Sequence, residues 1–113
     1  MPDSQETDGQ SGKSWAVEMT GPEAAAAGRA VFEKILRANV VKEIANRLEV
    51  DEDSIEQDMH LIAMGLDSLV LFSMTGLLAE WLRRDLSADI LFDIESIDDL
   101  VEQMTLLEFG KST

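Results

Sequence analysis

The sequence predicts an all-α domain, an antiparallel four-helix bundle with a long first loop and a short third helix. Three observations carry this. Stretches at about 30–48 and 68–84 hold apolar residues at helical spacing. A further stretch opens on Ser96, a good helix cap, with Asp98 and Asp99 in the turn that follows. Between the first two lies an acidic segment, Glu49 to Asp67, in which the period fails.

The first long helix is expected from about Ala30 to Leu48. Leu36, Val40, Ile44 and Leu48 recur every four residues, with Phe32 and Val41 beside them. Glu33, Lys34, Arg37, Lys42, Glu43 and Arg47 fill the other face. Upstream, Gly21-Pro22-Glu23 reads as a helix start, with proline near the first helical position. The alanines 24–27 favour helix but offer nothing large to bury, so this piece reads as either a helical extension or linker.

In the long loop, Ile55, Met59, Leu61, Ile62 and Met64 are spaced like anchors to a core. A loop of this length is more often functional than not. Asp51, Asp53 and Asp58 do not make a calcium loop, because Glu56 falls on the glycine position and Ile62 on that of the bidentate acid. The next helix is expected from Ser68 to about Arg84, with Leu69, Phe72, Leu78 and Leu82 inward and Met74 and Trp81 near the edges. Gly76 interrupts it. Ile90, Leu91, Phe92 and Ile94 read as a single helical turn. The last helix buries Ile97, Leu100, Val101 and Met104 and ends near Leu107. The domain is thus expected over 23–107, with its core at about 31–104. Residues 1–22 read as a disordered lead or linker and 108–113 as tail.

With 113 residues there is room for one domain. There is no apolar run of membrane-spanning length and no recognisable signal peptide. No cysteine occurs, so any thiol chemistry must come from a prosthetic group. These features fit a cytoplasmic protein. The formal charge of −14 argues against nucleic acid and anionic membrane, and for high solubility. Gly9 to Ser14 resembles a phosphate loop only superficially, since Thr7 stands where the first glycine belongs.

The chemistry centres on Met64-Gly65-Leu66-Asp67-Ser68-Leu69. Asp67 and Ser68 are both good capping residues. The Ser68 hydroxyl is expected at a helix N-terminus, partly exposed, where the dipole favours a phosphate ester. As a nucleophile Ser68 fares badly. The Gly-x-Ser-x-Gly elbow is absent, and the only histidine, His60, has no evident acid to orient it. On chemistry alone, Ser68 is most simply a structural cap.

These six residues resemble the modification site of acyl carrier proteins of the polyketide-synthase type. Leu91-Phe92-Asp93 matches the run that such carriers place before their last helix. The Glu80-Trp81-Leu82 to Leu86-Ser87 stretch is similar to carriers loaded by fatty acyl-adenylating ligases. The resemblance covers about Val31 to Met104 and implies the carrier-protein bundle. It implies a non-catalytic protein, monomeric as an isolated domain, that holds acyl chains as thioesters on 4'-phosphopantetheine. A magnesium-dependent phosphopantetheinyl transferase would move that group from coenzyme A to Ser68, with Asp67 helping to engage the transferase and Leu69 packing beneath the site. Gly65 belongs to the same motif. Partners would be a ketosynthase, an acyltransferase or acyl-adenylating ligase, and other synthase enzymes.

The chain departs from the family pattern in two places. Carriers of the fatty-acid type expose several carboxylates along the helix after the serine. Here the outward positions are expected to be Val70, Ser73, Leu77 and Glu80, a less charged docking face. Glu95 replaces the usual proline before the last helix, and Ser96 takes the usual threonine place. Two alternatives remain at this point: a peptidyl or aryl carrier of non-ribosomal synthesis, or an unmodified acidic docking domain with the same fold. The first is favoured less, because Leu66 and Asp67 stand where those carriers prefer glycine or histidine.

Overall fold

A computed structural model describes residue 15 and residues 19–110. The described residues contain four α-helices, two 3-10 turns and no strand. They are α1 (Gly21–Ala27), α2 (Arg29–Leu48), a 3-10 turn at Glu52–Ser54, α3 (Ser68–Leu82), a 3-10 turn at Ile90–Asp93, and α4 (Ile97–Phe109). The long helices α2, α3 and α4, with the 3-10 turn at Ile90–Asp93 as the short third element, form the expected carrier-protein bundle. Most of the expected lead, residues 1–14 with the glycine-rich stretch 9–14, lies outside the described residues.

Helix α1 is a separate helix. Thr20 and Glu23 form a reciprocal capping box, in which the Glu23 amide donates to Thr20 Oγ1 at 3.3 Å and the Thr20 amide donates to Glu23 Oε1 at 2.9 Å. Gly28 ends α1 and precedes α2. Gly21 lies so close to α3 that a Cβ there would stand 2.8 Å from the Trp81 carbonyl oxygen and 2.9 Å from Leu82 Cα.

Residues before the expected domain start at 23 also pack against α3. The Trp81 indole donates to the Met19 carbonyl oxygen at 2.8 Å, and its ring lies 6.1 Å from that of Trp15. Phe32 lies 5.5 Å from Trp81 and 5.4 Å from Phe109. Aromatic pairs at these separations add to their area burial. Trp81, expected at the edge of its helix, is instead buried at the centre of this cluster. At the other end the last helix runs on to Phe109, two residues past the expected stop, and Gly110 caps it.

The core of α2 follows its sequence period, with Phe32, Leu36, Val40, Val41 and Ile44 buried and Leu48 partly so. Helix α4 buries Ile97, Leu100, Val101 and Met104, as its spacing predicts. The Ser96 hydroxyl accepts from the Asp99 amide at 3.1 Å, so Ser96 is the cap. The residues of α3 lie differently. Leu71, Met74, Thr75, Leu78, Trp81 and Leu82 face inward, while Leu69 and Phe72 face out. Helix α3 ends at Leu82 rather than Arg84, because Arg83 turns left-handed at φ 59°.

Main-chain bonds hold the long loop in place. The Leu61 amide donates to the Glu95 carbonyl oxygen at 2.8 Å, and the Asp98 amide to that of Gln57 at 3.0 Å. Arg37 joins α2 to both ends of this contact through the Gln57 side chain and Asp98 Oδ1, the latter at 2.6 Å. Of the five expected anchors, Leu61 is fully buried, and Ile55, Met59 and Met64 are partly buried. Ile62 is 60% exposed, and buried Leu66 supplies the anchor that spacing did not single out.

Candidate functional site

The loop closes on α3 through a compact turn. The Met64 amide donates to the His60 carbonyl oxygen at 3.1 Å and the Gly65 amide to that of Ile62 at 3.0 Å. Gly65 then sits at φ 101°, a region that L-residues with a Cβ avoid. This reversal sends Leu66 into the core and delivers Asp67 to the head of α3. Asp67 is the cap, its Oδ1 accepting from the Val70 amide at 3.0 Å. Ser68 is therefore the first helical residue.

This corrects the phase of the helix. Leu69 does not pack beneath the site; it is 76% exposed, next to Ser68. Val70 is half-buried, and Ser73 and Glu80 are exposed as expected. Leu77 is not outward-facing, being only 8% exposed. Three exposed apolar side chains that the sequence reading placed inward, Leu69 and Phe72 on the helix and Ile62 as a loop anchor, belong instead to the surface. For Leu69 and Phe72 the misplacement follows from the near-continuous apolar run of α3, which leaves the period without a clear phase.

Two recesses flank the head of α3. One is a cleft of about 200 Å³ lined by His60, Leu61, Ile62, Ser68, Leu71, Leu91, Phe92 and Ile94. Phe72 and Phe92 lie beside it with ring centroids 5.1 Å apart, joining α3 to the 3-10 turn at Ile90–Asp93. The other is a more open groove lined by Arg47, Asp67, Leu69, Val70, Phe72 and Ser73. Arg47 is held there by Glu43 Oε2 at 2.7 Å and by the Ser73 hydroxyl at 2.8 Å.

The Ser68 hydroxyl is exposed and has no hydrogen-bond partner among the described residues. His60 shares its cleft, but no carboxylate orients the ring. Instead His60 Nδ1 accepts from the Ile62 amide at 3.2 Å. In the neutral imidazole that bond leaves the proton on Nε2.

The family model for the phosphopantetheine attachment site matches residues 38–104, more than half of the chain. The chain belongs to the phosphopantetheine attachment site family. It is thus a carrier domain whose prosthetic group is covalently attached 4'-phosphopantetheine. No protein in the curated set matches it. Carrier domains of this family work with a phosphopantetheinyl transferase and with synthase enzymes. Among the described residues of this carrier domain, no helix is long and apolar enough to cross a membrane.

The residues at the head of α3 fit such a group. A phosphodiester link needs a free primary hydroxyl with room around it, and Ser68 offers one. The Val70 amide is taken by Asp67 Oδ1 and the Leu71 amide by the Asp67 carbonyl oxygen at 3.0 Å. The amides of Ser68 and Leu69 have no acceptor among the described residues and remain open to an anion. The matched span begins inside α2, so α1, Met19 and Trp15 lie outside it.

Proposed function

We propose that the chain is an acyl carrier of polyketide or mixed polyketide/non-ribosomal peptide biosynthesis, with 4'-phosphopantetheine joined to Ser68. The observation that carries this reading is the exposed Ser68 hydroxyl at the first residue of α3, inside Gly65-Leu66-Asp67-Ser68-Leu69. Leu91-Phe92-Asp93, whose Phe92 lines the same cleft as Ser68, supports the polyketide type over a peptidyl carrier.

When bound, the group supplies a terminal thiol that carries the acyl chain as a thioester. The chain's own residues present it. Gly65 makes the reversal, and Asp67 fixes the first turn of α3 and offers a carboxylate to the transferase. Ser68 provides the oxygen that becomes esterified. Leu69 and Phe72, both exposed, with Val70 and Ser73, give partners an apolar face of low charge near that oxygen, and Glu80 lies further along the same helix. Leu77 leaves the docking set, since its side chain is in the core.

Incubating the unmodified protein with coenzyme A, magnesium and a broad-specificity phosphopantetheinyl transferase tests the assignment. The intact mass should rise by one phosphopantetheine in the wild type and stay unchanged in Ser68→Ala. A folded wild type that several transferases leave unmodified, or a Ser68→Ala variant that is still modified, overturns it.

A further inference from the structure

We propose that His60 is a positioning residue for the phosphate end of the prosthetic arm, donating from Nε2 to a phosphate oxygen on Ser68; this rests on Ser68 as the attachment point. The cleft beside Ser68 brings together side chains from three places in the fold. The long loop gives His60, Leu61 and Ile62, α3 gives Ser68 and Leu71, and the turn before α4 gives Leu91, Phe92 and Ile94. His60 is the one ionisable side chain among them. An apolar recess with a single polar group converging on a reactive oxygen is the usual composition of a ligand subsite.

The ring is already oriented. The Ile62 amide occupies Nδ1, leaving Nε2–H as the free donor. The need for a donor is set by charge. The chain carries a net −14, and the Asp67 carboxylate already sits at the head of α3. A phosphodiester on Ser68 adds another negative charge there. The nearest basic side chain lining a recess at the head of α3, Arg47, is on the other side of the helix and committed to Glu43 and Ser73. His60 and the open amides of Ser68 and Leu69 are the donors left. A hydrogen bond to an ionised oxygen is about twice as strong as a neutral one, so the contact would restrain the root of an otherwise freely rotating arm.

The elements that line the cleft carry carboxylates adjacent in sequence to its residues: Asp58 on the same loop, Asp67 on the α3 cap, and Asp93 and Glu95 around the 3-10 turn. All four are exposed and are present with or without the arm. A comparison of loaded and unloaded protein therefore isolates the phosphate. The test is nuclear magnetic resonance on the protein loaded with phosphopantetheine. The phosphorus resonance, read at one fixed pH, should differ between the loaded wild type and loaded His60→Gln. In the loaded wild type, the ring protons of the chain's one histidine should show cross-peaks to the methylene next to the phosphate. Unloaded protein should leave the ring signals without that partner.

A protein loaded at Ser68 whose phosphorus resonance is the same in the wild type and in His60→Gln, and whose histidine shows no cross-peak to the arm, overturns this inference alone. Modification that persists in Ser68→Ala overturns the attachment reading and this one together. The wild-type cross-peak does not depend on the variant, so a misfolded His60→Gln would not weaken the test.

Discussion

Asp67 Oδ1 accepts a hydrogen bond from the Val70 amide, 3.0 Å away, and this makes Ser68 the first residue of α3 rather than its cap. The two roles that the sequence leaves to either residue are thus divided. Aspartate ends the loop, and serine is free of structural duty. Asp67→Ala should cost about 1 kcal/mol of stability, whereas Asp67→Asn keeps the cap and should cost a few tenths. Urea denaturation checks this. If Asp67 also engages the transferase through its charge, Asp67→Asn will slow modification while leaving stability nearly intact.

Gly65 turns the chain at φ 101° with open space where a Cβ would stand. Gly65→Ala meets no clash, only backbone strain of about 1–2 kcal/mol. The strain lies three residues from Ser68, so the rate of phosphopantetheine transfer should fall together with the midpoint of denaturation.

Leu69 and Leu71 differ by two positions and face opposite ways. Leu71→Ala removes a buried side chain and should cost about 2–5 kcal/mol. Leu69→Ala should change stability by less than about 0.5 kcal/mol. Its effect is expected instead on modification rate and on binding to synthase partners. Leu77→Glu is a stability mutation, not a docking one. A buried carboxylate there should cost more than about 2 kcal/mol, and thermal melting would show it.

Gly76 is exposed in the middle of α3, and a Cβ there meets nothing within 4 Å. Gly76→Ala should stabilise the domain by about 0.5–1 kcal/mol. A substitution that raises the melting point yet weakens binding to a synthase enzyme would mean that a partner approaches the backbone there.

Gly21 gives the opposite result. Its missing Cβ lets α1 lie against Trp81 and Leu82, so Gly21→Ala should push α1 away from α3. Tryptophan fluorescence should shift as the Trp81–Met19 hydrogen bond loosens, while the phosphorus resonance of the arm on Ser68 should stay where it is.

The parts of the fold that were legible in the sequence are those with one clear apolar stripe. Helices α2 and α4 alternate charged and apolar residues, so their buried faces and the Ser96 cap could be read directly. Helix α3 has Leu69, Val70, Leu71, Phe72, Met74, Leu77, Leu78, Trp81 and Leu82 in fifteen residues. A helix that is apolar nearly all round has no phase to read. The tertiary setting decides it, through the Asp67 cap and the turn at Gly65. The motif at Ser68 was readable through the resemblance of its six residues to a known modification site, since chemistry alone left Ser68 a structural cap. The contact of Trp15 and Met19 with Trp81 was not, since it joins residues more than 60 apart in sequence through two groups with no periodicity around them. The cleft shared by His60 and Ser68 was hidden for a similar reason. Its third wall comes from Leu91, Phe92 and Ile94, far along the chain.

Trp81 and Ser68 stand at opposite ends of α3, thirteen residues or about 20 Å apart. The chain before Gly21 is fastened at the Trp81 end, through Met19 and Trp15. The contacts of Met19 and Trp15 are thus made at the end of α3 away from the serine.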